Sequence, residues 1–139
     1  MGKIVVDITL TNVLDLEKAE EDLLEASKVR THSTKALVDT GTILLSLPQD
    51  IVEHLGLKTR RRVEVEYADG SKHMMSVAGG VLLDVVGRTM QAECLVLPPG
   101  TEPLIGVVVL ESLDLIPDCI HQELHVRPQS PLYPLLSLK

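Results

Sequence analysis

The 139-residue sequence has no Phe and no Trp, and its only aromatic residues are Tyr67 and Tyr133. An interior without large rings must be filled by Leu, Val and Ile, and branched side chains of that kind suit a pleated, half-buried surface. Cysteine is scarce too: Cys94 and Cys119 suggest a disulfide framework neither by number nor by spacing. No apolar run approaches the roughly 20 residues that a membrane-crossing helix needs, residues 104–110 being among the longest. The start of the chain does not read as a signal peptide, because Asp7 interrupts the only apolar stretch after Lys3. Positive charge is also in deficit. A formal charge of −7 argues against a nucleic-acid partner, since phosphate contacts need clustered Lys and Arg. The one basic cluster, Lys58 with Arg60, Arg61 and Arg62, reads as a solvated face in a loop before a strand. The expectation is a soluble cytoplasmic protein with no nucleic-acid or membrane partner.

What is present fits one domain with a normal core, at 45% apolar residues. Residues 3–11 alternate, with Ile4, Val6, Ile8 and Leu10 on one side, which predicts a strand. Residues 12–27 place Leu16, Ala19, Leu23 and Ala26 at helical spacing among acids, predicting a short amphipathic helix. Strands follow at 29–38 and 43–47, then a short helix at 49–57 with Asp50 in its first turn and Gly56 as its stop. Val63-Glu64-Val65-Glu66-Tyr67 alternates into Asp69-Gly70, a strong two-residue turn signal. Further strands are expected at 72–77, 81–86 and 89–97, the first two separated by Gly79-Gly80, and at 104–109, broken by Gly106. Residues 109–115 suit a helix and 119–126 a last strand or strand pair. Pro128, Pro131 and Pro134 mark residues 128–139 as a tail, whose four leucines suggest that it packs on something. The domain is thus expected over residues 1–127, mainly β with one or two short helices.

One motif stands apart. Asp39-Thr40-Gly41 closes the apolar run Ala36-Leu37-Val38 and is followed by Thr42-Ile43-Leu44-Leu45. A chance match to such a tripeptide has odds on the order of a few per cent in a chain this long, and its place between two apolar strands adds weight. Aspartic peptidases deliver a catalytic carboxylate in this way, from a buried strand onto a Thr-Gly turn. Their mechanism needs two carboxylates, and the tripeptide occurs once.

In these features the chain resembles the retropepsin-like aspartic peptidases, in their single-domain bacterial form. The resemblance rests on residues 36–41, on Leu47-Pro48 with the helix after it, on the hairpin around Asp69-Gly70, and on Leu104-Ile105-Gly106 with Val109-Leu110-Glu111. It spans residues 29–126. It implies a single-lobed acid-protease β-barrel, a homodimer, an extended peptide substrate, and neither cofactor nor metal. It also assigns roles. Asp39 from each of two copies would form the dyad, and Thr40 would hydrogen-bond across the two-fold axis. Gly41, lacking a side chain, would let the loop approach substrate and partner. Thr42 stands where the family usually has Ala or Ser; its hydroxyl would steady the carboxylate, while its extra methyl would crowd the turn. Ala68, Asp69, Gly70 and Ser71 would form a flap over substrate. Leu104, Ile105 and Gly106 would support the catalytic loop from behind, although Val107-Val108-Val109 replaces the polar residue frequent after that Gly. Two carboxylates at hydrogen-bond distance cannot both ionise cheaply, so they share one proton. The ionised member takes a proton from water while the protonated one polarises the substrate carbonyl.

Other readings stay open or fall away. A retropepsin-fold dimer that binds peptides or acts as a scaffold without cutting them is the main rival, and a monomeric β domain with an incidental Asp-Thr-Gly is a more distant one. Cys119, His121 and His125 invite a metal, but in an extended strand two His four residues apart lie too far from each other to share one ion, and no fourth ligand is evident. His32, His54 and His73 read as surface residues. Cys94 reads as a small core residue, and Gly79-Gly80 lacks the Lys-Ser or Lys-Thr of a phosphate loop.

Overall fold

The computed structural model describes residues 3–138; Met1, Gly2 and Lys139, which the expected domain and tail include, lie outside the described residues. Strand β1 (Val5–Asn12) buries Ile8 and Leu10 and turns Asp7 and Thr9 outward, the alternation its sequence predicts. Asn12 caps helix α1 (Val13–Glu20) by accepting from the Asp15 N–H at 2.9 Å. This helix is shorter than the expected 12–27. Glu20, Glu21 and Asp22 crowd negative charge at its C-terminal end, where the helix dipole disfavours it, and a separate 3₁₀ turn, Ala26–Lys28, follows.

β2 (Thr31–Val38) pairs antiparallel with β1 along its whole length. β3 (Leu45–Pro48) is buried at every residue and leads into α2 (Gln49–Leu55), which stops at Gly56. Ile43, expected in that strand, lies before it and is 68% exposed. β4 (Lys58–Glu66) and β5 (Lys72–Val85) form the hairpin, so the basic cluster lies in a strand and not in a loop. Nor does Gly79-Gly80 separate two strands. β5 runs through it, and there its neighbour on one side changes from β4 to β1 while its register with β6 (Arg88–Leu97) shifts. A bulge thus does the work of the expected break.

β7 is only Leu104–Ile105, because α3 (Val107–Leu113) begins straight after Gly106. Residues 107–109 are therefore helical despite their β propensity. Tertiary packing decides: Val109, Leu110 and Leu113 share one buried helix face. The fold has three helices, one more than the upper expectation. β8 (Leu115–Asp118) and β9 (Glu123–Val126) form a small separate hairpin with Cys119 in its turn.

The protein is mainly β, with six strands closed into a barrel in the order β1-β2-β7-β3-β6-β5 and back to β1. Closure removes free sheet edges. Of the seven strands of this sheet, β4 stays outside the ring, paired with β5. Leu, Ile and Val fill the interior, as the lack of aromatics requires: Ile8, Leu10, Leu45, Leu47, Leu83 and Ile105 are fully buried. No helix among the described residues is long and apolar enough to cross a membrane.

The tail is anchored at two points, Ser130 and Leu135. Ser130 is buried and donates its hydroxyl to Asp114 Oδ2, which also accepts from the Leu135 N–H at 2.9 Å. Arg88, itself buried, donates to the carbonyls of Leu113 and Ser130. The side chains of Leu132, Tyr133, Leu135, Leu136 and Leu138 are nevertheless exposed, so the expected packing of the leucines is absent within one chain.

Candidate active site

Asp39 follows directly from β2, and what fixes it is the chain segment that comes from far away in sequence. β7 enters between β2 and β3, parallel to the first and antiparallel to the second. The Ile105 carbonyl accepts the Asp39 N–H at 2.9 Å. The next turn returns the contact, with the Val107 N–H donating to the Thr42 carbonyl at 2.8 Å and the Val108 N–H to that of Ile43 at 3.0 Å. Gly106 sits at the crossing. A Cβ there would lie 2.6 Å from the carbonyl oxygens of both Thr42 and Ile43, closer than any side chain tolerates. Only Gly lets the two backbones meet. The structure thus brings residues 104–106 against the Asp39 loop.

Within the loop, the carboxylate is held by its own turn. Asp39 Oδ1 accepts the Gly41 N–H at 2.9 Å, and Oδ2 accepts the Thr42 hydroxyl at 3.2 Å. The Thr42 N–H donates to the Asp39 carbonyl at 3.1 Å and closes the turn. Thr42 therefore does what its hydroxyl suggested, and its methyl group causes no break in the turn. Asp39 is half-buried, whereas Thr40 is exposed at the loop tip. One chain brings one such carboxylate to this place.

The β4–β5 hairpin stands off the barrel between two grooves. One, about 570 Å³, separates it from the Asp39 loop; Gly41, Thr42, Ile43 and Leu44 line one wall and Val63, Val65, Tyr67 and Met75 the other. Leu95, Leu97 and Leu104 add to its lining. The second, about 530 Å³, lies on the side of α2. The expected flap residues 68–71 form the hairpin tip and line neither groove. There the Tyr67 N–H donates to the Ser71 carbonyl at 2.8 Å, and Gly70 has φ +85°, a backbone region that other residues rarely adopt. Asp69 Oδ1 accepts from the Ser71 hydroxyl and N–H, which lowers its pKa below the ordinary carboxylate value. The groove wall itself was missed, although the alternation of Val63 and Val65 with Glu64 and Glu66 marks β4 as a strand; all four residues line the groove.

Elsewhere, burial pushes the Cys94 thiol up to about 12, which leaves it unreactive. His121 and His125 do converge, contrary to the expectation from an extended strand. His121 lies in the β8–β9 turn, so its Nδ1 reaches Asp118 Oδ2 at 2.7 Å while His125 Nε2 reaches the same oxygen at 3.2 Å. Hydrogen bonds from His121 hold the Asp118 carboxyl down at about 2, and Asp118 raises His121 in return. Among the described residues, no group of three or more His, Cys, Asp or Glu is placed to hold a metal ion.

No protein-family model matches this chain, and no curated protein matches it.

Proposed function

We propose that the protein is an aspartic endopeptidase of the retropepsin-like kind, a single-lobed barrel that becomes active as a homodimer. One observation carries the reading: a carboxylate on an Asp-Thr-Gly turn, oriented by Gly41 and Thr42 and clasped from behind by Leu104-Ile105-Gly106, beside a largely apolar cleft under a projecting hairpin. An incidental tripeptide needs none of these contacts.

In the dimer, Asp39 and the Asp39 of a second copy meet on the two-fold axis and hold one proton between them. The ionised carboxylate removes a proton from a bound water, whose oxygen attacks the peptide carbonyl carbon. The protonated carboxyl hydrogen-bonds to the carbonyl oxygen and delivers its proton as that oxygen becomes a hydroxyl. The resulting gem-diol collapses: the C–N bond breaks as the proton taken from water passes to the leaving amine, and one hydroxyl returns its proton to the other carboxylate, which re-forms the carbonyl and restores the shared proton. Thr40, exposed at the loop tip, reaches the second copy's loop. An extended peptide lies in the cleft with apolar side chains against Ile43, Val63, Val65 and Leu97, and the hairpin with Ala68, Asp69, Gly70 and Ser71 at its tip closes over it. No metal or cofactor enters the scheme. Two free thiols, one of them exposed, suit the cytoplasm as its setting.

Digestion of a peptide library from acid to neutral pH tests this. Cleavage should be blocked by a pepstatin-like inhibitor and fall by roughly a thousandfold or more in Asp39→Asn, with unchanged circular dichroism. Cleavage at the wild-type rate in that variant ends the proposal. Saturable peptide binding without cleavage in the wild type selects the scaffold reading instead.

A further inference from the structure

We propose a second site, independent of the peptidase reading: a pocket for a small phosphate-like oxyanion between α1 and the start of β4. A partly open cavity of about 100 Å³ is lined there by Lys18, Arg30, Lys58 and Arg60, with Asp15 as its one acid. That acid is already committed. Its Oδ2 accepts from Arg30 Nε at 2.8 Å and its Oδ1 from Arg30 Nη2 at 3.0 Å, and these bonds hold its carboxyl below the ordinary range. Among the described residues, no carboxylate lies within 4.0 Å of the charged nitrogens of Lys18, Lys58 or Arg60. A chain of net charge −7 thus gathers four cations around one cavity and neutralises one of them.

The backbone aims one of these cations deliberately. The β4–β5 register passes from Thr59↔Ala78 to Arg61↔Val77, so Arg60 is an extra, bulged residue, and bulges re-aim side chains. Arg60 Nε donates to the Gly79 carbonyl at 2.8 Å, which anchors the guanidinium at the cavity wall. Its neighbour Arg61 instead pairs with Glu93 at 3.0 Å. The basic cluster is exposed, as expected of a solvated face, and is split, with Lys58 and Arg60 at the cavity and Arg61 tied elsewhere.

Chemistry and size select the ligand. Lys and Arg offer donors and no acceptors, so the cavity's cations suit a group of acceptor oxygens with more than one negative charge. A volume of about 100 Å³ equals the space of roughly three waters, well under the roughly 300 Å³ where drug-sized pockets begin. A phosphate or the phosphoryl end of a larger molecule fits; a nucleoside or peptide segment does not. An occupant would bridge Lys18 on α1 to Lys58 and Arg60, tying down the root of the hairpin strand.

The test is calorimetric titration of the full chain with inorganic phosphate, with a nucleoside monophosphate, and with chloride at matched ionic strength. Lys18→Gln/Lys58→Gln is the principal variant, since both side chains are exposed and their loss leaves the fold intact; Arg60→Gln is the second. Saturable binding of phosphate or the nucleotide, weakened about tenfold per cation removed, supports the site, and the tighter of the two ligands identifies the source of the phosphoryl group. No saturation by either ligand, an equal response to chloride, or equal binding by the double variant overturns it.

Discussion

At the scale of single residues, the Asp39 loop depends on two side chains for opposite reasons, one for what it has and one for what it lacks. Thr42 supplies a hydroxyl to Asp39 Oδ2. Thr42→Ser keeps that bond and should keep activity, while Thr42→Val, equal in shape, should lose about tenfold in kcat/KM with little change in melting temperature. Equal rates for the two variants would remove Thr42 from the site. Gly106 supplies empty space. In Gly106→Ala the new Cβ meets two backbone carbonyl oxygens at 2.6 Å, and neither can swing aside as a side chain would. The expected cost is about 2–4 kcal/mol, read as a denaturant midpoint shift. A near-neutral result would mean that the two segments do not pass so closely.

At the scale of elements, the C-terminal clasp makes a pH-dependent prediction. Hydrogen bonds from Ser130, from the Leu135 N–H and from Arg127 hold the Asp114 carboxyl at about 2, against an ordinary 3.8. A carboxyl depressed in the folded state stabilises above its unfolded pKa and loses that contribution as pH falls through the folded one. The clasp is therefore intact above about pH 4 and released as pH falls toward about 2. The Leu135 amide resonance should titrate with a midpoint near about 2, and in Asp114→Asn, which tolerates the same left-handed backbone (φ 55°), that titration should vanish. A midpoint near 3.8 would place the tail free of Asp114. Elements were legible in the sequence where local pattern and burial agreed: β1, α2 and the β4–β5 hairpin follow directly from alternation, a Gly stop and Asp69-Gly70. They were illegible where distant chain decided. Val107-Val108-Val109 carries strand propensity, yet the crossing at Gly106 and the buried face of α3 make it a helix. Gly79-Gly80 looks like a turn, and only the change of neighbour from β4 to β1 makes it a bulge. The packing of residues 104–106 against the Asp39 loop follows the expectation from the resemblance, whereas the groove wall at Val63, Val65 and Leu97 emerges only once β4 stands beside the loop.

At the scale of the whole molecule, the proposal turns on one carboxylate per chain. The barrel closes and buries its Leu, Ile and Val core within one chain. Activity requires a second copy if two Asp39 side chains share one proton. Specific activity should then fall on dilution as dimers dissociate, in step with the dimer fraction measured by sedimentation. A sharper reading comes from wild-type chains refolded together with Asp39→Asn chains. Every mixed dimer has one working carboxylate and is inactive on this account, so an equal mixture should retain about a quarter of the wild-type activity at the same total concentration. Retention of about half, linear in the wild-type fraction, would mean that each chain works alone and would contradict the account.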